Sequence, residues 1–214
     1  MKRTGWLVAA GVLAVATLCS EVGIAPWVVG AVCGPLVIAA IIAWVYPYAR
    51  QQGRFGHLIV LGLAVSLCAD IAIGRSFIVG LAIFLLAHIV YLVAFIPKIS
   101  FKAYGVSIAA YGLIAAGIAS HLMAGASAQG LLVPVLVYIG CITLMAATLA
   151  AAAARQRGQF VWAAIGGGLF FISDAIIGIT KFTQDFAYSG IAVLITYWLA
   201  QLLIASAAMH LSHR

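Results

Sequence analysis

Two acidic side chains lie inside long apolar stretches, where a membrane-spanning helix would place them in lipid. Asp70 and Asp174 each come about 14 residues after the start of their stretch, so both are expected about 21 Å from the same end of the helices. A charge in lipid costs several kcal/mol, so such residues are seldom incidental. Two carboxyls at one depth on different helices can face one another. One protonated and one ionised carboxyl would then form an acid/base pair, whereas the alternative is a hydrogen-bonding role in helix packing.

Further polar side chains share helix faces with the spacing expected of a lined cavity. His88 and Tyr91 are three residues apart, and Tyr197 and Gln201 are four apart. We predict that these four residues position water and substrate, with ordinary packing as the alternative. Ser173 is placed with the substrate-binding residues, although a serine within a helix also tends to bond a backbone carbonyl of its own helix.

Two basic residues follow the intramembrane aspartates. Arg75 and Lys181 lie five and seven residues beyond Asp70 and Asp174, which is roughly 7 to 11 Å along a helix axis. An anionic head group held by either cation would bring the first part of a lipid chain near the carboxyls. The alternative is that both are simple anchors at helix ends.

No metal or cofactor site is predicted. Histidine ligands must converge at one depth, but those of this chain are expected at different levels: His57, His88, His121, His210 and His213. The four cysteines lie in apolar stretches without a CxxC spacing, which favours packing over disulfides or metal binding.

The elements that must position these residues are membrane helices. Of the 214 residues, 66% are hydrophobic and only 7% are charged, too few charges to cover a soluble globule. Segments of about 20 apolar residues suit the ~30 Å hydrocarbon core. We predict an all-α integral membrane protein, one transmembrane domain over residues 1–214, with eight spans. They lie near 5–21, 24–46, 56–74, 76–96, 103–122, 130–154, 160–180 and 189–211.

The basic residues predict an orientation rather than a nucleic-acid partner, although the formal net charge is +7. With both termini cytoplasmic, only Arg75 and Lys181 would face outward. The remaining Lys and Arg residues would face inward: Lys2, Arg3, Arg50, Arg54, Lys98, Lys102, Arg155, Arg157 and Arg214. A bacterial protein of this kind would lie in the inner membrane. The first segment resembles a signal peptide, but the seven apolar segments after it favour an uncleaved helix.

A short similarity links the third and seventh spans. Residues 70–74 (DIAIG) and 174–178 (DAIIG) match at an offset of 104 residues, about half the chain. Both spans would run from inside to outside, so the similarity is consistent with two parallel repeats of four helices. In so apolar a chain, a similarity over five residues, three of them identical, also arises by chance.

The stretch GLFFISDAIIGITKF at residues 168–182 resembles the signature of the YhhN family of membrane lysoplasmalogenases. Weaker matches lie at residues 67–70, 77–91 and 195–201. Together with the signature, they occur along the chain in the same order as in the family. One departure is Ala69, where the family pattern leads us to expect glycine. The size of the chain and its eight spans also fit the family.

The resemblance implies a hydrolase that cleaves the vinyl ether bond of a lysophospholipid in the membrane, giving a fatty aldehyde and a glycerophospho-base. This chemistry needs a protonated acid and a stabilising anion, which Asp70 and Asp174 would supply without a cofactor. Which of the two is the acid stays open. The alternative is a proton-coupled small-molecule or lipid transporter that uses the same aspartates as a proton relay.

Overall fold

The computed structural model describes residues 3–156, 158 and 160–209, and within them the regular structure is helical. Eight helices are long and apolar enough to cross a membrane, as the sequence predicted. The helices are α1 (Arg3–Glu21), α2 (Trp27–Ala49), α3 (Gly53–Ile73), α4 (Phe77–Phe95), α5 (Phe101–Ala128), α6 (Leu132–Arg155), α7 (Val161–Phe182) and α8 (Ser189–Ser206). Short 3₁₀ turns follow α4 and α8. The protein is therefore a multi-pass integral membrane protein.

The chain divides into two compact units. The first contains residues up to Ala94 and those from Ala205 onward, and the second contains residues 95–204. In the first unit α2 packs against α1 and α3, and in the second α6 packs against α5 and α7. The parallel repeat, the single domain and the cytoplasmic location of both termini stay predictions. Of the residues behind the predicted orientation, Lys2, Arg157 and Arg214 lie outside the described residues, as does the end of the last predicted span.

Small side chains let α6 lie deep in the second unit. Its alanines at 146, 147, 151 and 152 are all buried, together with Leu149. Such residues allow helix backbones to approach closely, which is the usual basis of helix association in lipid. At its end, the Arg155 guanidinium donates to the carbonyl of Ile99 at 2.9 Å and so ties α6 to the segment before α5.

Two helices continue into segments that the sequence analysis assigned to connections. The second predicted span ended at residue 46, but α2 contains both Pro35 and Pro47 and ends at Ala49. Proline removes its N–H donor and its ring displaces the carbonyl one turn earlier, and membrane helices tolerate both where neighbouring groups bond the freed backbone.

The fifth helix is also longer than predicted. The predicted span ended at residue 122, whereas α5 continues to Ala128. Ala and Ser in this segment are compatible with a helix, and the helix ends where Gly130 adopts φ +69. The amide of Leu131 then donates to the carbonyl of Ala126 at 2.8 Å, which closes the helix in the usual glycine-terminated way.

Candidate functional site

A tyrosine–aspartate contact joins α6 to α7 in the second unit. The Tyr138 hydroxyl donates a hydrogen bond of 2.6 Å to Oδ2 of Asp174. Tyr138 is only 7% exposed, so the bond lies among packed side chains, where a polar contact is stronger than in water. The bond therefore fixes the orientation of the Asp174 carboxyl group through its Oδ2 atom.

Helix geometry explains why these two residues meet. Tyr138 lies six residues after the start of α6, and Asp174 lies eight residues before the end of α7. At 1.5 Å per residue these positions are about 9 and 12 Å from the ends of two consecutive, packed helices that face the same side. The two side chains therefore lie at similar depths.

The polar residues of α8 lie near this contact. Tyr197 is one of the polar neighbours of Tyr138, together with Cys141. The Tyr197 ring also packs edge-on against Phe170 of α7, with centroids 5.4 Å apart. Gln201 lies one turn further along α8 and is fully buried. The structure thus brings Tyr197 to the Asp174 side of the unit, whereas the substrate-positioning role of this stripe stays a prediction.

Ser173 links α7 to α8. Its Oγ donates to the carbonyl of Val193 at 3.1 Å. The expectation that this serine would bond a carbonyl of its own helix is wrong, because α8 lies near enough to offer a carbonyl to the buried hydroxyl. Ser173 therefore forms a hydrogen bond between α7 and α8, and its contact with substrate stays a prediction.

The second intramembrane aspartate has its own surroundings in the first unit. Tyr91 of α4 is fully buried, and its polar neighbours are Ser66 and Asp70 of α3. Gly62 makes room for this ring, since a Cβ at position 62 would overlap the ring atoms of Tyr91. His88 lies one turn before Tyr91 on α4 and is also fully buried. Tyr91 therefore lies within electrostatic range of Asp70, while the pairing of Asp70 with Asp174 stays a prediction.

The two cations lie at helix ends, as expected from their positions in the sequence. Arg75 lies between α3 and α4 and is exposed. Lys181 lies in the last turn of α7 and is exposed, and its backbone carbonyl accepts a 3.3 Å hydrogen bond from the side-chain amide (Nε2) of Gln129. Both head-group roles stay predictions.

Among the residues that the structure describes, no three His, Cys, Asp or Glu side chains gather where they could hold a metal ion. The terminal His210 and His213 of the sequence analysis lie outside those residues. The cysteines at 19, 33, 68 and 141 form no disulfide within the described chain.

Tyr138, the residue bonded to Asp174, was not among the residues predicted from the sequence. One tyrosine in an apolar segment is ambiguous, because aromatic residues are common in helix packing and at membrane interfaces. Counting residues from the helix ends would have placed Tyr138 and Asp174 at similar depths. That count could not show which face of α6 points toward α7.

Comparison with known proteins agrees with these observations. Lysoplasmalogenases of Mycobacterium bovis and Mycobacterium tuberculosis are each 27% identical to this chain over 167 residues. The match covers 74% of this chain but 62% of each relative, so it spans less than two thirds of their length. No solved structure matches. The model of the YhhN family matches residues 27–208, and the chain therefore belongs to the YhhN family.

Proposed function

We propose that this protein hydrolyses the vinyl ether bond of lysoplasmalogens to a fatty aldehyde and a glycerophospho-base. The observation that carries the proposal is an intramembrane carboxyl, Asp174, held by the buried Tyr138 hydroxyl at 2.6 Å. An oriented carboxyl in a low-dielectric environment is the group that acid/base chemistry on a lipid requires. The two mycobacterial relatives are named lysoplasmalogenases, which supports this class of substrate.

The reaction needs one acid, one anion and water. A carboxylic acid transfers its proton to the β-carbon of the vinyl ether, and the double-bond electrons form the new C–H bond. The resulting oxocarbenium ion is stabilised by a nearby carboxylate. Water adds to the α-carbon and gives up a proton to a carboxylate, which forms a hemiacetal. The hemiacetal then collapses to the aldehyde while the leaving glycerol oxygen takes a proton, so that one water is consumed and the acid is restored.

Asp70 and Asp174 supply the acid and the stabilising anion in this proposal. Tyr138 is a positioning residue that fixes the Asp174 carboxyl. Tyr91 and His88 surround the substrate and water on the Asp70 side, and Tyr197 and Gln201 do so on the Asp174 side. Each of these four side chains is buried, which keeps bulk water from competing with the reacting groups.

The substrate is a lysophospholipid that enters from the membrane. Arg75 and Lys181 are exposed at helix ends, where lipid phosphates lie. Each cation offers an electrostatic contact to a phosphate, and the alkenyl chain would extend inward toward the aspartates. No cofactor takes part, because the proton transfers need only carboxyls and water.

The test is the release of fatty aldehyde by purified protein in detergent. Three substrates with the same head group are compared: an alkenyl lysophospholipid, its saturated alkyl ether and its acyl ester. We expect aldehyde from the alkenyl lipid alone, because only a vinyl ether forms an oxocarbenium ion on protonation of carbon. Fatty acid from the acyl ester would overturn the assigned reaction. If well-folded protein yields no aldehyde but moves lysolipid or protons across vesicles, the transporter is the better assignment.

A further inference from the structure

A cavity of about 450 Å³ opens at the end of α7, within the second unit. It lies near the carboxyl ends of α5 and α7 and involves the connection to α8. Its lining residues are His121, Ile179, Thr183, Gln184, Asp185 and Phe186. Residues 183–186 follow directly after the apolar segment that ends at Phe182, so the cavity lies at the level of lipid head groups.

The lining combines a held carboxylate with an accessible aromatic ring. Oδ1 of Asp185 accepts hydrogen bonds from the Phe186 amide at 2.8 Å and the Ser189 hydroxyl at 2.7 Å. These bonds fix the carboxylate in the connection between α7 and α8. Phe186 is 47% exposed and lines the same cavity. A carboxylate beside an aromatic ring is the chemistry that recognises ammonium groups, including quaternary ones.

We propose that this cavity binds the cationic amine of the substrate head group, with Asp185 and Phe186 as its recognition residues. The inference rests on the proposed function and adds the place where the head group is recognised and the two residues that recognise it. Asp185 would contribute charge, and the Phe186 ring would contribute a cation–π contact.

The spacing along α7 fits the length of such a substrate. Asp174 and Thr183 are nine residues apart, which is about 13 Å along the helix direction. From the β-carbon of the vinyl ether to the head-group nitrogen there are about eleven bonds, or about 13 Å at the ~1.2 Å per bond of an extended chain. The distance along the helix axis from Asp174 to the cavity therefore equals the length of such a lipid from vinyl ether to amine, and the lipid would also have to pass around the end of α7, because nine residues correspond to half a turn.

The phosphate falls between these two points. It lies about seven bonds from the β-carbon, or about 8 Å on the same scale. Lys181 is seven residues beyond Asp174, about 10 Å along α7. The order along the helix is thus carboxyl, cation and anion, which matches the order of vinyl ether, phosphate and amine along the lipid.

The test measures binding of the saturated alkyl ether lysophosphocholine, which contains no vinyl ether bond to cleave, to full-length protein in detergent. A matched ligand, the alkyl ether of glycerol phosphate, lacks the amine. We expect Asp185→Asn to raise the Kd for the choline ligand about five- to tenfold and to leave the amine-free ligand as tightly bound or tighter. Asparagine keeps a side-chain oxygen for the Phe186 amide and the Ser189 hydroxyl, so the substitution removes the charge while the turn keeps its hydrogen bonds. Glu21→Gln, in the exposed end of α1, is the matched control.

A second pair of variants tests the ring. Phe186→Leu should weaken the choline ligand severalfold, and Phe186→Tyr should restore binding, because the cation–π contact needs an aromatic ring rather than an apolar side chain. Competition by free choline distinguishes the sources of the amine: weak competition at millimolar concentration supports a subsite of the lipid, whereas displacement at micromolar concentration would overturn the lipid assignment.

The remaining outcomes separate this inference from the proposed function. Equal Kd values of wild type and Asp185→Asn for the choline ligand would overturn the amine subsite, even in a protein that releases aldehyde. Selective binding of the choline ligand that depends on Asp185, in a protein that releases no aldehyde, would support the amine subsite and overturn the hydrolytic function.

Discussion

The two matching stretches around Asp70 and Asp174 end differently. In the first unit Gly74 follows the last residue of α3 and caps the helix, with no atom within 4 Å of where a Cβ would sit. In the second unit Gly178 is buried within α7, and Cδ1 of Leu122 lies 2.8 Å from the corresponding Cβ position. The seventh helix continues four residues further, to Phe182, so Lys181 lies in a helix whereas Arg75 lies in a connection.

The polar neighbours of the two aspartates also differ in origin. The hydroxyl bonded to Asp174 comes from the preceding helix, α6, whereas the tyrosine within electrostatic range of Asp70, Tyr91, lies on the following helix, α4. A buried histidine, His88, accompanies the first aspartate on the same helix as its tyrosine. The two short sequences thus share a carboxyl at the same position in the motif, while the side chains around that carboxyl differ between the two units. Structural roles therefore cannot be transferred between the units by alignment alone.

The largest expected effect comes from removing either carboxyl. Asp70→Asn and Asp174→Asn should each lower the rate of aldehyde release by about 10³-fold, within the range of general acid–base catalysis. The double variant should lose little more than either single one, because groups that act as a unit are not additive. Aldehyde release by detergent-purified protein is the measurement, with Glu21→Gln as the control that should keep the wild-type rate. A near-normal rate in one single variant would show that only one of the two units carries the chemistry.

A smaller effect is expected from the hydroxyl that orients Asp174. Tyr138→Phe removes a hydrogen bond to a carboxyl while it keeps the ring, and should lower kcat about tenfold to a hundredfold with little change in KM. The pH profile of kcat should shift as well, which a purely structural loss would not produce. Tyr111→Phe is the matched control, since the Tyr111 ring packs edge-on against Phe171 of the same unit.

The same loss of kcat is measured in Tyr91→Phe, which changes the buried tyrosine of the first unit, beside Tyr138→Phe in the second. An equal loss in both variants would mean that each aspartate depends on a phenol regardless of the helix that supplies it. No loss in Tyr138→Phe would remove this residue from the positioning role.

The smallest effect concerns the two glycines. Gly178→Ala should destabilise the protein by about 1 to 2 kcal/mol, because its Cβ would press on buried Leu122. Gly74→Ala meets open space at φ −67 and should stabilise the protein by up to about 1 kcal/mol. Thermal unfolding of both variants in the same detergent measures the difference. Equal midpoints would contradict the different packing of the two glycines.

Much of the fold follows from the sequence because the length of an apolar segment is a direct consequence of bilayer thickness. All eight spans were found on this basis, and Asp70 and Asp174 were recognised because acidic residues stand out in an apolar helix. The ends of α2 and α5 were misplaced because Pro47 and the small residues before Gly130 are tolerated in a helix, and hydropathy does not register this.

The contacts between helices could not be predicted in the same way. Tyr138 and the Val193 partner of Ser173 depend on how far each helix is rotated about its axis. The rotation follows from packing of small residues along the whole interface, and no short motif records it. Apolar membrane helices carry hydrophobic residues on nearly every face, so the periodicity that reveals the buried side of a soluble helix is weak here.

The length of α5 links the protein to the lipid around it. Its 28 residues extend about 42 Å, against a hydrocarbon core of about 30 Å. A helix with this mismatch tilts, projects beyond the hydrocarbon or thickens the bilayer locally. Because His121 lies in the last turns of α5, the height of this end above the acyl chains depends on the thickness of the surrounding membrane as well as on the fold.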